Sequence, residues 1–464
     1  MYKLDFKNKI HVYFIGIGGI SMSGMAELLH SEGFTVSGSD SQNNKITQHL
    51  ESLGITIFYG QNAQNITKDY DLVVYTAAIH PDNPEFLKAQ ALELPMLSRA
   101  ELVGQVMKNY ETAVAVSGTH GKTTTTSILS MMMLEGDMDP TISVGGVLEA
   151  IHGNIRIGNS KNFITEACEY TDSFLHFLPT RSIILNVEAE HLDYFKDLDH
   201  VRRSFKSFVN LLPNTGTLVI NGEIENYKDL VDEAACKVIT YGIIDDKFNK
   251  PVMYSARNVK YNEYGCASYD LYLNEEKIYS LDLCIVGRHN VSNSVAAVAM
   301  AHDMGISLEA IQDALSHFTG THRRFEIKGQ REGVTIIDDY AHHPTEIAAC
   351  LSGAQRYPHK EIWCAFQPHT YTRTKNFLKE FAISLSAADH IVLADIYAAR
   401  EDNPGDISSS DLLEELKKLG KDVHYFHTFE EIENFLINNC TNGDLLITMG
   451  AGNIVSIGES LLSK

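Results

Sequence analysis

Val114-Ala-Val-Ser-Gly-Thr-His-Gly-Lys-Thr-Thr-Thr-Thr126 decides the reading of this chain. The apolar run from Ala113 to Val116 reads as a buried strand, and it runs into Gly118, His120, Gly121 and Lys122. A threonine series then opens a helix-like stretch from Ser127 to Met133. Strand, glycine turn, lysine and helix in that order make a phosphate-binding loop. The glycines let backbone N–H groups close on phosphate oxygens, and the helix N-terminus adds the positive end of its dipole. Lys122 can reach the β- and γ-phosphates, and a hydroxyl of Thr123 or Thr124 can ligate Mg²⁺. Gly118, Thr119, His120, Gly121, Lys122, Thr123 and Thr124 are therefore the candidate nucleotide contacts. Val116 stands where the common pattern has its first glycine. A plain glycine turn with a surface lysine needs neither the strand before nor the helix after.

Composition bounds the rest. A chain of 464 residues is too long for one ordinary core, and about three domains is the natural expectation. A net charge of −22 argues against a nucleic-acid partner. The seven cysteines have neither CxxC nor zinc spacing and read as buried thiols of a reducing cytosol. The N-terminus lacks a signal-peptide pattern and no apolar run is long enough to cross a bilayer, so a cytoplasmic protein with no membrane partner is expected.

Strand-like runs alternate with helix-like ones. The first segment has Ile10 to Ile15, a strand ending in Ser37-Gly-Ser-Asp40, and Asp71 to Tyr75. The second has the phosphate loop, Ser182 to Asn186, Thr217 to Ile220 and a less regular β portion near 252–287. The third has Val334 to Ile337, Glu361 to Phe366, His390 to Ala394 and Asp444 to Thr448. This alternation predicts doubly wound parallel sheets. The expected fold is α/β in three domains: a Rossmann-like domain at 1–108, a central P-loop ATPase-type domain at 109–322, and a second Rossmann-like domain at 323–464.

Gly16, Gly18 and Gly19 follow the first strand, and Asp40 lies near the spacing at which an acidic residue holds a ribose. Alone, this would suggest a nicotinamide-dependent oxidoreductase, but GxGGxS is not GxGxxG, and that reading leaves the Lys122 loop idle. A nonenzymatic nucleotide switch would explain the loop but not the downstream histidines and arginines. Glu166 with a loop threonine forms a candidate Mg²⁺ site of hard oxygen ligands. Asn290 and Asn293 can read a base edge or cap the alanine-rich helix that follows.

Gly118-Thr-His-Gly-Lys-Thr-Thr124 resembles the nucleotide loop of the Mur ligases, which build the peptide of bacterial cell-wall precursors. Gly16-Ile-Gly-Gly-Ile-Ser-Met-Ser-Gly-Met25 looks like the branch that attaches the first alanine, and the resemblance covers nearly the whole chain in order. It implies that the N-terminal domain binds UDP, with Gly18, Gly19, Ile20, Ser37, Asp40, Thr76, Ala77 and Arg99 as contacts. It implies His191, in Asn186-Val-Glu-Ala-Glu-His191, as ligand of a second ion beside Thr123 and Glu166. Some relatives carry a carbamoylated lysine where Phe205 aligns here, so that modification is not expected. His289 and Asn293 would hold adenine. Arg324, with Arg323 as second choice, would reach ATP phosphates. Asp339 would lie near ribose and His342 near phosphate. Arg373 would clamp the amino-acid carboxylate, with Tyr340 and His369 lining the pocket; Thr370 stands where some relatives carry a second arginine. Lys122, His191, His342 and Arg373 are the expected catalytic group. The implied reaction joins L-alanine to the lactyl carboxylate of UDP-N-acetylmuramate, using ATP and Mg²⁺, through an acyl phosphate. A recycling ligase that joins a tripeptide to the same sugar is the nearest alternative, and a homodimer is left open.

Overall fold

Three sheets run through the described residues. The computed structural model describes residues 2–76, 78–192, 194–399 and 401–463. It divides into two compact units, residues 1–255 with 295–314, and 256–294 with 315–464.

The first unit holds two sheets. The N-terminal one orders its strands Thr56–Tyr59, Thr35–Asp40, His11–Ile15, Leu72–Tyr75, Met96–Ser98, all parallel. Strand order reverses between His11–Ile15 and Leu72–Tyr75, the topological switch point where such sheets take ligands. The glycine turn and Thr76 flank that point: a Cβ on Gly16 would lie 3.3 Å from Thr76 Cγ2.

In the second sheet Thr112–Ser117 lies between Arg181–Ile184 and Asn162–Ala167, parallel to both. Thr217–Asn221 and Lys237–Ile243 extend it on one side. On the other side Thr141–Leu148 pairs in parallel and turns back antiparallel as Gly153–Arg156. Val114, Ala115 and Val116 have no exposure, as a strand flanked on both edges requires. The phosphate loop thus opens between the C-terminal ends of its two neighbours, which carry the acidic motifs. Phe205 is buried and meets Phe174 edge to face, with ring centroids 5.2 Å apart. Lys206 points instead to Asp232 and Glu233 at 2.8 and 3.0 Å.

In the second unit, Cys266–Leu273 and Glu276–Val286 pair antiparallel, inside the irregular β portion expected there. The third sheet orders Glu326–Arg331, Val334–Asp339, Leu445–Met449, Ile362–Phe366, His390–Leu393 and Asp422–Tyr425. Only its first pair is antiparallel. Buried clusters around Ile337, Cys364 and Phe381 and around Ile336, Trp363 and Leu446 cover its two faces. All seven cysteines are free thiols; Cys236, Cys350 and Cys364 are buried, whereas Cys284 is exposed and corrects the buried-thiol expectation at that position. No helix among the described residues is long and apolar enough to cross a membrane.

At the far edge of the third sheet His390 ties three strand starts together. Its Nδ1 meets Asp422 at 2.6 Å, its Nε2 meets Glu361 at 3.1 Å, and its ring stacks on Trp363. Burial works to lower its pKa, but the hydrogen bonds and charges of both carboxylates outweigh it, so the pKa is raised above the usual 6.5. A raised pKa gives stability that is full below about pH 6.5 and is lost as pH rises through the folded value. His390→Gln should therefore lower Tm most near pH 6 and less near pH 9. The cost should be up to about 1 kcal/mol, since the carboxylates are half exposed. Thermal melts at the two pH values check this; an equal deficit at both would remove the charge from the account.

Candidate active site

The phosphate loop needs glycine where its backbone turns. Gly118 has φ +145° and Gly121 +85°, and a Cβ on Gly118 would come within 2.9 Å of Leu185 Cβ. Gly121 precedes the helix Lys122–Glu135, whose first N–H groups face the loop. The neighbouring strand end clamps the loop. Asn186 Oδ1 accepts the His120 N–H at 2.7 Å and its Nδ2 donates to the His120 carbonyl at 3.1 Å. The Glu188 N–H donates to Thr119 Oγ1 at 2.9 Å, and His120 Nε2 lies 3.6 Å from Glu188.

Lys122 folds onto its own loop. Its ammonium donates to the carbonyls of Gly118 and Thr119 at 2.5 and 3.0 Å and to Glu169 Oε2 at 3.0 Å. Burial disfavours that charge, but the Glu169 carboxylate outweighs it and raises the lysine pKa. Glu169 itself is 1% exposed. Its second oxygen is buried without a hydrogen bond and lies 3.9 Å from His191 Nε2. Tyr170 covers the His191 ring at 4.6 Å between centroids.

Glu166 lies one strand over. Its Oε2 accepts the Thr123 hydroxyl at 3.0 Å and its Oε1 accepts the Gly145 N–H at 2.5 Å. A hydroxyl and a carboxylate in contact, with a second carboxylate oxygen lacking a hydrogen bond nearby in the chain, form a hard donor set that fits Mg²⁺.

Arg99 donates to Ser21 Oγ at 3.0 Å, at the start of the helix Ile20–Ser31 after the glycine turn. Burial lowers its pKa, opposed by the charges of Cys168 and Glu166. Asp40 is committed to the turn: its Oδ2 accepts the Gly18 N–H at 2.8 Å. A Cβ on Gly18 would meet that oxygen at 2.7 Å, whereas Gly19 is less crowded. Ile20 is 53% exposed beside the turn. Ser37 lies inside its strand, 4% exposed, with its hydroxyl 3.1 Å from His11 Nε2, away from the strand end where Asp40 and Thr76 sit. Ala77 lies outside the described residues.

The second unit gathers the remaining candidates. Arg323 spends its guanidinium on structure, donating to Asp338 at 2.9 Å and to the carbonyls of Gly450 and Gly452 at 2.6 and 3.1 Å. Arg324 is held more loosely, 3.9 Å from Glu346 and over the Tyr340 ring. Asp339 accepts the N–H groups of Phe325 and Ala341, both at 2.8 Å. Burial pushes its pKa up to about 6, against the pull of Arg324. Asn293 donates to Asn290, whose own amide donates to the Val286 carbonyl, so Asn290 takes the local structural role. His289 is exposed beside them, in the first turn of the helix Arg288–Asp303.

His342 Nδ1 lies 2.9 Å from the Tyr340 carbonyl and 3.2 Å from Glu346. The rings of Tyr340, His342, His369 and Tyr397 follow one another at 5.4, 5.8 and 5.6 Å. Arg373 Nη1 meets His369 Nδ1 and the His369 carbonyl, both at 3.2 Å. Thr370, with φ +67°, caps the short helix that carries Arg373. The sequence reading assigns no role to Glu169, Asn186, Gly145 or Tyr397. Glu169 carries a signal, an acidic residue three positions past Glu166 at a strand end; Tyr397 carries none.

A Cβ on Gly145 would meet Glu166 Oε1 at 2.9 Å, so a side chain there displaces that carboxylate. Gly145→Ala should push Glu166 away from Thr123. The magnesium concentration giving half activity should rise roughly tenfold, as for other changes behind a metal ligand. Sugar-nucleotide affinity, measured by calorimetry, should stay within twofold. An unchanged magnesium curve would remove Gly145 from the metal site.

Comparison with known proteins gives the family. Models of the Mur ligase catalytic domain, middle domain and glutamate ligase domain match residues 11–111, 116–301 and 323–452. A UDP-N-acetylmuramate–L-alanine ligase of Lachnoclostridium phytofermentans is 58% identical, with all of both chains covered. One of Agathobacter rectalis is 56% identical, again over all of both chains. The crystal structure of the UDP-N-acetylmuramate-alanine ligase MurC of Thermotoga maritima superposes with a TM-score of 0.81 at 29% identity, covering 98% of each chain. The chain belongs to the Mur ligase family, with that family's three α/β domains.

Proposed function

We propose that the protein is an ATP-dependent ligase that joins L-alanine to the lactyl carboxylate of UDP-N-acetylmuramate. One observation carries this reading: identity of 56–58% over the full length to relatives that bear that name. The phosphate loop alone would suit any ligase of the family. An oxidoreductase reading of residues 10–40 leaves Lys122, Glu166 and Glu169 without a task.

The chemistry follows from the weakness of a carboxylate as an electrophile. The lactyl carboxylate attacks the γ-phosphate of ATP, giving an acyl phosphate and ADP. The alanine amine then attacks the acyl carbon and inorganic phosphate leaves. Loop N–H groups and Lys122 hold the phosphates, and Lys122 exchanges Glu169 and the two loop carbonyls for phosphoryl oxygens. Charge placed where the phosphoryl group moves is the largest catalytic contribution such a site makes. Thr123 and Glu166 would hold one Mg²⁺ and His191 a second, and the ions would supply charge neutralisation on the phosphoryl oxygens. His289 and Asn293 bind adenine, Asp339 the ribose, and Arg324 with His342 the phosphates. Gly18, Gly19, Ile20, Asp40, Thr76 and Arg99 bind the UDP-sugar; Arg373, Tyr340 and His369 bind alanine. Domain limits of 1–108, 109–322 and 323–464 fit these assignments. ATP and a sugar nucleotide as substrates suit a cytoplasmic enzyme.

Phosphate release with UDP-N-acetylmuramate and ATP, comparing L-alanine with a tripeptide, tests the reading. Turnover only with the tripeptide would overturn it. In the same assay Lys122→Ala should lose on the order of a hundredfold or more in kcat, as removal of one charge-stabilising donor does elsewhere, with Tm little changed. Near-normal turnover would end the assignment of the loop.

Arg373 is the other decisive residue. Removing a charged hydrogen-bond partner costs about 1.5–3 kcal/mol, so Arg373→Ala should raise KM for L-alanine roughly ten- to a hundredfold. The KM values for ATP and UDP-N-acetylmuramate should stay within a few-fold, and Arg373→Lys should rescue only in part, because an ammonium lacks the planar fork. An equal effect on all three substrates in steady-state kinetics would mean that Arg373 is not the alanine clamp.

A further inference from the structure

Glu85 is a charged residue with no exposure, on the short helix Pro84–Ala91 of the N-terminal domain, and no step of the proposed reaction uses it. We propose that Glu85 is a positioning residue for the sugar nucleotide, a buried post that sets the glycine turn Gly16–Gly19 from beneath. This rests on the reading of that turn as the UDP-sugar site.

The bonding pattern carries the inference. Glu85 Oε1 accepts the Tyr13 hydroxyl at 3.0 Å, the Asn62 N–H at 3.3 Å and Asn65 Nδ2 at 2.7 Å; Oε2 accepts the Ser39 hydroxyl at 2.5 Å. All four partners donate, the arrangement a carboxylate satisfies and no neutral side chain of its size does. Burial first, and then the Glu85 charge, raise the Tyr13 pKa, so that phenol stays a donor. The Asn83 side chain accepts the N–H groups of Glu85 and Phe86 at 2.9 and 3.1 Å, fixing the helix start. The carboxylate also lies in the helix's first turn, where the dipole favours negative charge.

What Glu85 holds is what holds the turn. The Ser39 carbonyl accepts the N–H groups of both Gly16 and Ile17 at 2.9 Å. The next residue, Asp40, accepts the Gly18 N–H with its side chain and the Gly60 N–H with its carbonyl, at 2.8 Å each. Asn65, on the same Glu85 oxygen as Tyr13, donates to the Gly60 carbonyl at 3.0 Å. Tyr13 lies three residues before Gly16 on the strand that delivers the turn. One carboxylate therefore joins the strand before the turn, the strand whose end accepts its N–H groups, and the loop that follows the next strand over, Thr56–Tyr59. A burial role in the fold alone would not require the contacts to converge on Ser39 and Gly60.

The test separates positioning from folding. Glu85→Gln keeps the volume, removes the charge from all four bonds and presents a donor to Ser39. The Kd for UDP-N-acetylmuramate, by calorimetry on the full chain, should rise about tenfold. KM for ATP and L-alanine should stay within twofold, and kcat should recover at saturating sugar nucleotide. Ser39→Ala should show a smaller rise in Kd that adds nothing on top of Glu85→Gln, because its contact runs through the same carboxylate. A folded Glu85→Gln with wild-type Kd, or one in which all three substrates suffer equally, overturns the proposal. If Glu85→Gln does not fold, Ser39→Ala decides, and a wild-type Kd there overturns it. Gly18→Ala tests the underlying reading: lost sugar-nucleotide affinity upholds the turn as the site whatever Glu85→Gln does, and wild-type affinity ends both.

Discussion

The phosphate loop can exist only because three strand ends meet around it. Thr112–Ser117 delivers it, Arg181–Ile184 and Asn162–Ala167 flank it, and the contact of Gly118 with Leu185 leaves no room for a side chain. From that one close approach the rest of the first unit's site follows. Asn186 stands where it can grip the His120 peptide by both its N–H and its carbonyl. Glu166, near the end of the other neighbour, and Glu169, just past it, stand within reach of Thr123 and Lys122. A parallel sheet aligns strand C-termini, so residues far apart in sequence become the wall of one cradle.

Burying charge in such a cradle costs free energy unless each charge finds a partner. The first unit resolves this by pairing Lys122 with Glu169, an ammonium against a carboxylate 1% exposed. The second repeats the device with Arg323 and Asp338, and the comparison separates two neighbouring arginines. Arg323 is consumed by a carboxylate and two carbonyls, which fixes the chain at the start of the third sheet. Arg324, held by one distant carboxylate and an aromatic face, keeps hydrogen-bonding capacity for a ligand. Arg323 also sits in a left-handed backbone conformation, with φ +62°.

How much of this was legible in the sequence depends on whether a residue's task is local. The strand before Lys122, the glycines and the helix after it are local and were readable, as were the strands around Ile15, Tyr75, Ile184, Ile337 and Thr448. Tyr397 reaches His369 through an isolated bridge between segments far apart in sequence, which no spacing encodes. Ser37 lies inside the strand Thr35–Asp40 and Asp40 at its end, a difference of position that residue type alone does not reveal. Glu85, in Pro-Asp-Asn-Pro-Glu, sits in a stretch whose polarity reads as surface, and its burial is visible only when four donors arrive from elsewhere. The hairpin Thr141–Leu148 with Gly153–Arg156 escaped because two glycines interrupt its alternation.

That hairpin shows why a glycine pair is placed there. Near its outer end, the Gly145 N–H fixes the Glu166 carboxylate. On its return strand Asn154 donates to the Ile20 carbonyl at 3.0 Å, and Ile155 packs against the position a Gly24 Cβ would take, 3.4 Å away. The Glu166 carboxylate and the helix after the glycine turn are therefore braced by the same few residues, with Arg99 as a second tie through Ser21. A Cβ at Gly145 would meet Glu166 Oε1 at 2.9 Å, and one at Gly24 would come into van der Waals contact with Ile155. Neither glycine answers to helix or strand propensity, which would favour almost any other residue. Gly145 answers instead to the Glu166 carboxylate beside it, on a hairpin whose return strand also holds the helix after the glycine turn.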